Sequence, residues 1–119
     1  MRKCILVVDD DVMNLKRTKL ILDKHYDLIL VKSGGEALDK LITEDIDLVL
    51  LDIEMPGMNG IETFKRMKED KIEVPVIFLT ASGYEDDVVA AISLGAVNYL
   101  KKPFLPKDLL ERIAKEFEK

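Results

Sequence analysis

Cysteine and histidine are almost missing from this chain of 119 residues, with Cys4 and His25 the sole examples. A lone cysteine cannot close an internal disulfide, which fits a reducing compartment and predicts a cytoplasmic protein. Cys4 itself reads as a small buried hydrophobe. The shortage of soft ligands argues against a zinc or copper site. Long apolar runs are missing too. Arg2 and Lys3 are followed only by the short run Cys4 to Val8, too brief for a signal peptide core or a membrane span, so no membrane partner is expected. Basic residues are in deficit, 18 Lys and Arg against 23 Asp and Glu, for a net charge of −5. This domain is therefore not expected to bind nucleic acid directly, because phosphate contacts need clustered cations. Lys65, Arg66 and Lys68 do cluster, but Glu62, Glu69 and Asp70 surround them, and the group reads as a solvated helix face. No repeat, low-complexity tract or linker interrupts the chain, so residues 1–119 are expected to form one domain.

What is present supports a packed core. Apolar residues make up 48% of the chain, and the 34% that are charged mix both signs. Short β-branched and aliphatic runs at Lys3–Val8, Asp27–Val31, Asp47–Leu51, Val76–Thr80 and Val97–Lys101 predict five strands. Between them the apolar period is helical. Ala37, Leu38, Leu41 and Ile42 share a face, as do Ile61, Phe64 and Met67, and Val88, Ala91 and Ile92. The last helix shows Leu109, Leu110, Ile113, Ala114 and Phe117. Ser33 and Ser82 each precede a Glu by three residues and predict capping boxes; Asn59 with Glu62 is a close variant. Asp11 reads as the cap of the first helix and Gly95 as the end of the fourth. Strict alternation of strand and helix implies crossovers and a parallel sheet covered on both faces. The runs Ile5–Val8 and Leu48–Leu51 are apolar throughout, as such strands require. The fold class is α/β: a doubly wound, flavodoxin-like (βα)5 sandwich of three layers, with strand order 2-1-3-4-5.

The informative polar residues gather at the carboxyl ends of these strands, where ligands bind in such folds. Asp9, Asp10 and Asp11 follow the first strand, Asp52 the third; Thr80 ends the fourth and Lys102 follows the fifth. Neighbouring strands lie about 4.8 Å apart, so the carboxylates of the first and third can approach to roughly 5 Å. Each such pair repels by roughly 3 kcal/mol at an effective dielectric near 20. Three converging carboxylates need a cation or a raised pKa. Oxygen ligands with open water positions suit Mg²⁺. Metal, ammonium and carboxylate together are equipment for phosphoryl transfer, with a carboxylate as nucleophile. Asp52 stands alone before a turn and is the candidate nucleophile; Asp9 and Asp10 are the candidate metal holders. Taken singly, Asp10 also reads as a cap, Thr80 as a strand-end hydroxyl and Lys102 as a solvated cation.

Five segments together resemble the receiver domain of bacterial two-component response regulators, across the whole chain. They are Ile5-Leu-Val-Val-Asp-Asp-Asp11, Leu51-Asp-Ile-Glu-Met-Pro-Gly-Met-Asn-Gly60, Leu79-Thr-Ala81, Gly95-Ala96 and Tyr99-Leu-Lys-Lys-Pro-Phe104. The resemblance implies that Asp52 is the phosphoacceptor. It implies that Asp9, Asp10, Asp52 and the backbone carbonyl of Glu54 hold Mg²⁺ or Mn²⁺. Thr80 and Lys102 would contact the phosphoryl group, Lys102 rather than Lys101 because it directly precedes Pro103. The bond to Pro103 is cis in similar domains. Thr80 and Tyr99 would form the switch, and Glu54 and Ser82 would tune phosphoryl lifetime. The implied partners are a sensor histidine kinase or phosphotransfer protein upstream and an output domain or effector protein downstream. The readout would run through the face of the fourth helix, fifth strand and fifth helix. Such a domain is not a conventional enzyme, although it promotes its own phosphorylation and dephosphorylation.

Departures from the family pattern are informative. Leu105 stands before Pro106 where relatives often carry a capping Ser or Thr. Val97-Asn98 replaces an acidic pair, which leaves Arg112 without the partners used in one dimerising subfamily. His25 is predicted at the end of the first helix, in a structural or surface role. Two other classes stay open on residues alone. A dehalogenase-like phosphatase would use Asp9 as nucleophile with Asp11 two residues on, but lacks a cap domain. A flavodoxin-like binder or phosphorylation-independent scaffold would leave the acidic set and Lys102 without purpose, and no glycine-rich loop follows the first strand.

Overall fold

The computed structural model describes residues 2–81 and 85–118. Five parallel strands, β1 (Cys4–Val8), β2 (Asp27–Val31), β3 (Leu48–Asp52), β4 (Val76–Thr80) and β5 (Asn98–Lys101), form one sheet. Their order is β2-β1-β3-β4-β5, as predicted. Five helices alternate with them: α1 (Val12–Leu22), α2 (Gly34–Thr43), α3 (Gly60–Glu69), α4 (Glu85–Ser93) and α5 (Pro106–Phe117). The helices give the sheet two buried faces. On one, Leu6, Val8, Val49, Leu51 and Phe78 pack with Ile61, Phe64 and Met67 of α3 and Ala91 of α4. On the other, Ile5, Val7, Leu48, Leu50, Ile77 and Leu79 pack with Leu15 and Leu22 of α1 and Leu109 and Ile113 of α5. Alternate residues of each strand thus supply opposite cores, which is why the central strands are apolar at nearly every position.

The ends of the elements differ from expectation by a residue. β3 runs on to Asp52, because Asp52 still pairs with Leu79. The face predicted for α2 is narrower than the sequence suggests. Ala37 is buried, but Ile42 is 74% exposed, and on α4 Ile92 is also exposed.

The caps are partly corrected. Asp11 caps α1 by accepting from the Met13 N–H at 2.9 Å. Asn59 forms the full reciprocal capping box with Glu62, at 2.9 and 3.1 Å. Ser33 accepts from the Glu36 N–H, but the Glu36 carboxylate reaches one residue further back, to the Lys32 N–H at 2.8 Å. The predicted cap at Ser82 lies outside the described residues. Gly95 ends α4 with φ +104, and the Ala96 N–H closes back to the Ala91 carbonyl. α5 starts without a side-chain cap at Leu105, with Pro106 in its first turn. His25 falls beyond α1, exposed, with its ring tilted against Tyr26.

Candidate functional site

Register assembles the site. Val8 pairs with Leu51, so the next residues, Asp9 and Asp52, leave the sheet side by side. Thr80 pairs with Lys101, so Lys102 emerges beside the end of β4. Parallel pairing makes all these strands end at the same edge. Asp9, Asp52 and Thr80 are buried there, whereas Asp10 is exposed.

Asp9, Asp10 and Asp52 each offer a carboxylate oxygen, and these oxygens lie within 4.8 Å of one another. The Lys102 ammonium reaches into the cluster, 3.1 Å from Asp9 Oδ2 and 3.3 Å from Asp52 Oδ1. Asp9 is fixed further by the Asp11 N–H, which donates to its Oδ1 at 3.0 Å. The Asp52 carboxyl is pushed up to about 6, chiefly by burial; Lys102 pulls it down, and Asp9 and then Asp10 push it up again. Both remedies for crowded carboxylates are therefore present, an internal cation and a raised pKa. One ammonium still leaves two of three carboxylate charges unbalanced. A cluster of hard oxygen donors with excess negative charge fits a divalent ion such as Mg²⁺.

A cleft of about 560 Å³ opens over the cluster, lined by Asp9, Asp10, Asp52, Glu54, Met55 and Asn14 among others. Asn14 is the lining residue that the strand-end motifs do not point to. It lies one helical turn after Asp11, on the side of α1 that faces the strand ends, and that spacing was the available signal. Thr80 sits at the same edge, but its hydroxyl donates to the Ala81 carbonyl at 3.1 Å. Tyr99 is 42% exposed. Beside it a groove of about 400 Å³ lies between α4 and β5, lined by Thr80, Val88, Ile92 and Tyr99 among others. The Lys102–Pro103 peptide is cis. Ser82 lies outside the described residues. Arg112, left without acidic partners in the sequence, donates instead to Asn98 Oδ1 at 3.2 Å and to the Tyr99 carbonyl.

A parallel sheet of this order, with an acidic cluster and a lysine at the carboxyl edge of β1, β3 and β5, defines a class. The family model of the response regulator receiver domain matches residues 5–114, and the chain belongs to that family. Response regulator SaeR of Staphylococcus aureus is 41% identical over 111 residues, covering 92% of this chain and 48% of the relative. The chain thus spans about half the length of that curated relative. A CheY-like receiver domain protein from Methanospirillum hungatei superposes with a TM-score of 0.92 at 34% identity, covering 99% of this chain and 95% of the other. Full-length FixJ from B. japonicum gives 0.91 at 32% identity, covering 98% of this chain and 58% of that one. The family places the chain in two-component signalling, in general opposite a sensor kinase, and its members are typically not conventional enzymes. Among the described residues no helix is long and apolar enough to cross a membrane.

Proposed function

We propose that the chain is a cytoplasmic switch that accepts a phosphoryl group on Asp52 and displays the result through α4, β5 and α5. The observation that carries this reading is the placement of Lys102 between Asp9 and Asp52, inside a three-carboxylate cluster. At neutral pH a group titrating near 6 is mostly ionised, so Asp52 is available as a nucleophile. One Asp52 oxygen attacks phosphorus of a phosphohistidine on the partner. The P–N bond breaks, and its electron pair stays on the imidazole nitrogen. Lys102 donates to the phosphoryl oxygens as charge builds on them. Asp9, Asp10, Asp52 and the Glu54 carbonyl would hold Mg²⁺ or Mn²⁺, which supplies further neutralisation of those oxygens. The upstream partner is a sensor histidine kinase or phosphotransfer protein, or a small phosphodonor in its place.

The readout follows from competition for Thr80. A phosphoryl group brings strong acceptor oxygens to the strand edge. The Thr80 hydroxyl leaves the Ala81 carbonyl for one of them, and Tyr99 moves into the groove beside it. Populations shift between two arrangements that differ in the face shown to an output domain or effector. Glu54, exposed on the cleft, and Ser82 tune how long the phosphoryl group survives attack by water. The test is incubation with acetyl phosphate and Mg²⁺, followed by intact mass. Wild type should gain one phosphoryl group and Asp52→Asn none; an unmodified wild type, or an equally modified variant, sinks the reading.

A further inference from the structure

The loop from Ile53 to Asn59 carries the Glu54 carbonyl away from Asp52 and returns the chain to the start of α3. Its closure is unusually tight. A Cβ placed on Gly60 would lie 2.2 Å from the Asp52 backbone oxygen, 2.8 Å from Ile53 Cα and 3.0 Å from the Asp52 carbonyl carbon. All three are backbone atoms, which cannot swing aside as a side-chain end can. The Gly60 N–H meanwhile donates to the Ile53 carbonyl at 2.9 Å, and the Ile53 N–H continues the sheet by donating to the Leu79 carbonyl at 3.2 Å. Ile53 and Met55 are buried in the core, and the Asn59–Glu62 box pins the other end of the loop.

We propose that Gly60 is a positioning residue for the metal-binding loop. Because it has no side chain, the first turn of α3 rests directly on the Asp52–Ile53 peptide, and this contact sets the direction of the Asp52 carboxylate and the Glu54 carbonyl. The proposal rests on the reading of Asp52 and Glu54 as metal ligands. Gly60 needs no left-handed backbone, so the requirement for glycine is one of space alone. Any side chain must drive α3 and the Asp52 peptide apart, and displacements of a few tenths of an ångström matter in a site that must hold its ligands this closely.

Gly34 supplies the control. A Cβ there would lie 2.1 Å from Thr63 Oγ1 of α3 and 2.9 Å from Met58 Cε of the loop, so it too is crowded, but against side-chain atoms that can turn aside rather than against the Asp52–Ile53 backbone. Both Gly34→Ala and Gly60→Ala should destabilise the fold. Only Gly60→Ala should weaken the metal site. Mn²⁺ affinity, read by the loss of the free-ion electron paramagnetic resonance signal, is expected to fall at least tenfold in Gly60→Ala. It should stay within twofold of wild type in Gly34→Ala. A folded Gly60→Ala with wild-type affinity overturns the proposal, as does an equal loss in both variants. Failure of wild type to bind Mn²⁺ at all would instead remove the metal reading beneath it. A second measurement needs no variant. Coupling is reciprocal, so saturating Mg²⁺ should slow hydrogen exchange of the wild-type Gly60 amide at least fivefold more than that of the Ala91 amide in α4. Equal slowing of the two overturns the proposal even if Gly60→Ala does not fold.

Discussion

The neighbourhood of α3 and that of α4 lie on the same side of one sheet, yet they are built to different standards. α3 buries Ile61, Phe64 and Met67, starts with a complete capping box, and sets Phe64 edge-on against Phe78 at 5.5 Å. The strands beneath it, β3 and β4, are buried at every position. α4 buries Val88 and Ala91 but leaves Val89 65% and Ile92 45% exposed, beside an edge strand whose Tyr99 faces solvent. Apolar burial sets how much it costs to move an element. The half of the molecule that holds Asp52 is therefore stiff, and the half that would report on Asp52 is pliable. The proposed function divides along that line: a nucleophile needs fixed geometry, and a readout needs two arrangements of similar energy.

The comparison can be broken most forcefully on the stiff side. Phe64→Ala removes a fully packed ring and should cost about 3–5 kcal/mol, measured by urea unfolding. A loss near 1 kcal/mol would mean that α3 is no firmer than its neighbour. A smaller effect of opposite sign is expected at Asp52. Its pKa is raised in the folded protein, from 3.8 to about 6, so the native state binds a proton more tightly than the unfolded chain. Its contribution favours folding most below about pH 4 and is lost as pH rises toward 6; above that the carboxylate carries the full penalty. In metal-free buffer at pH 7.5, Asp52→Asn should therefore stabilise the protein by about 3 kcal/mol, with the gain fading as pH is lowered toward 4. A variant less stable than wild type at pH 7.5 would contradict the strained-carboxylate view. The smallest effect belongs to the pliable side. Ile92→Ala should change stability by less than about 0.5 kcal/mol, since the side chain is half exposed. Chemical denaturation of the phosphoryl-free protein reads this directly, and a cost like that of Phe64 would erase the contrast.

Much of this arrangement was legible in the residues, and the unread parts share a cause. Alternating strand and helix patterns imply a parallel sheet, and parallel topology then forces Asp9, Asp52, Thr80 and Lys102 to one edge whatever the strand order. Those inferences need only period and connectivity. Side-chain direction needs more. Nothing in the sequence says that the Thr80 hydroxyl turns to Ala81, or that Lys102 bridges both carboxylates. Ile42 shares the helical period of its neighbours, but α2 lacks a surface opposite to cover it. Glu36 overshoots the cap donor at Ser33 and accepts from the Lys32 N–H instead, whereas Glu62, with the same side chain at the same spacing, accepts from the cap N–H of Asn59, so residue type alone does not decide the partner. Arg112 lacks acidic partners in the sequence, but its guanidinium donates to any oxygen acceptor, and the Tyr99 carbonyl and the Asn98 amide oxygen serve instead.

The register that brings Asp9 beside Asp52 and Lys102 beside Thr80 has one more consequence. The site draws on residues scattered across nearly the whole length of the chain, and no two of its strands are joined without a helical crossover. A fragment that stops short of β5, or a sheet that mispairs β1 and β3, cannot gather the three acids and the lysine. On the proposed function, a chain that takes up a phosphoryl group has already paired β1 with β3 and β4 with β5, and one whose strands are misassembled stays silent rather than sending a false message.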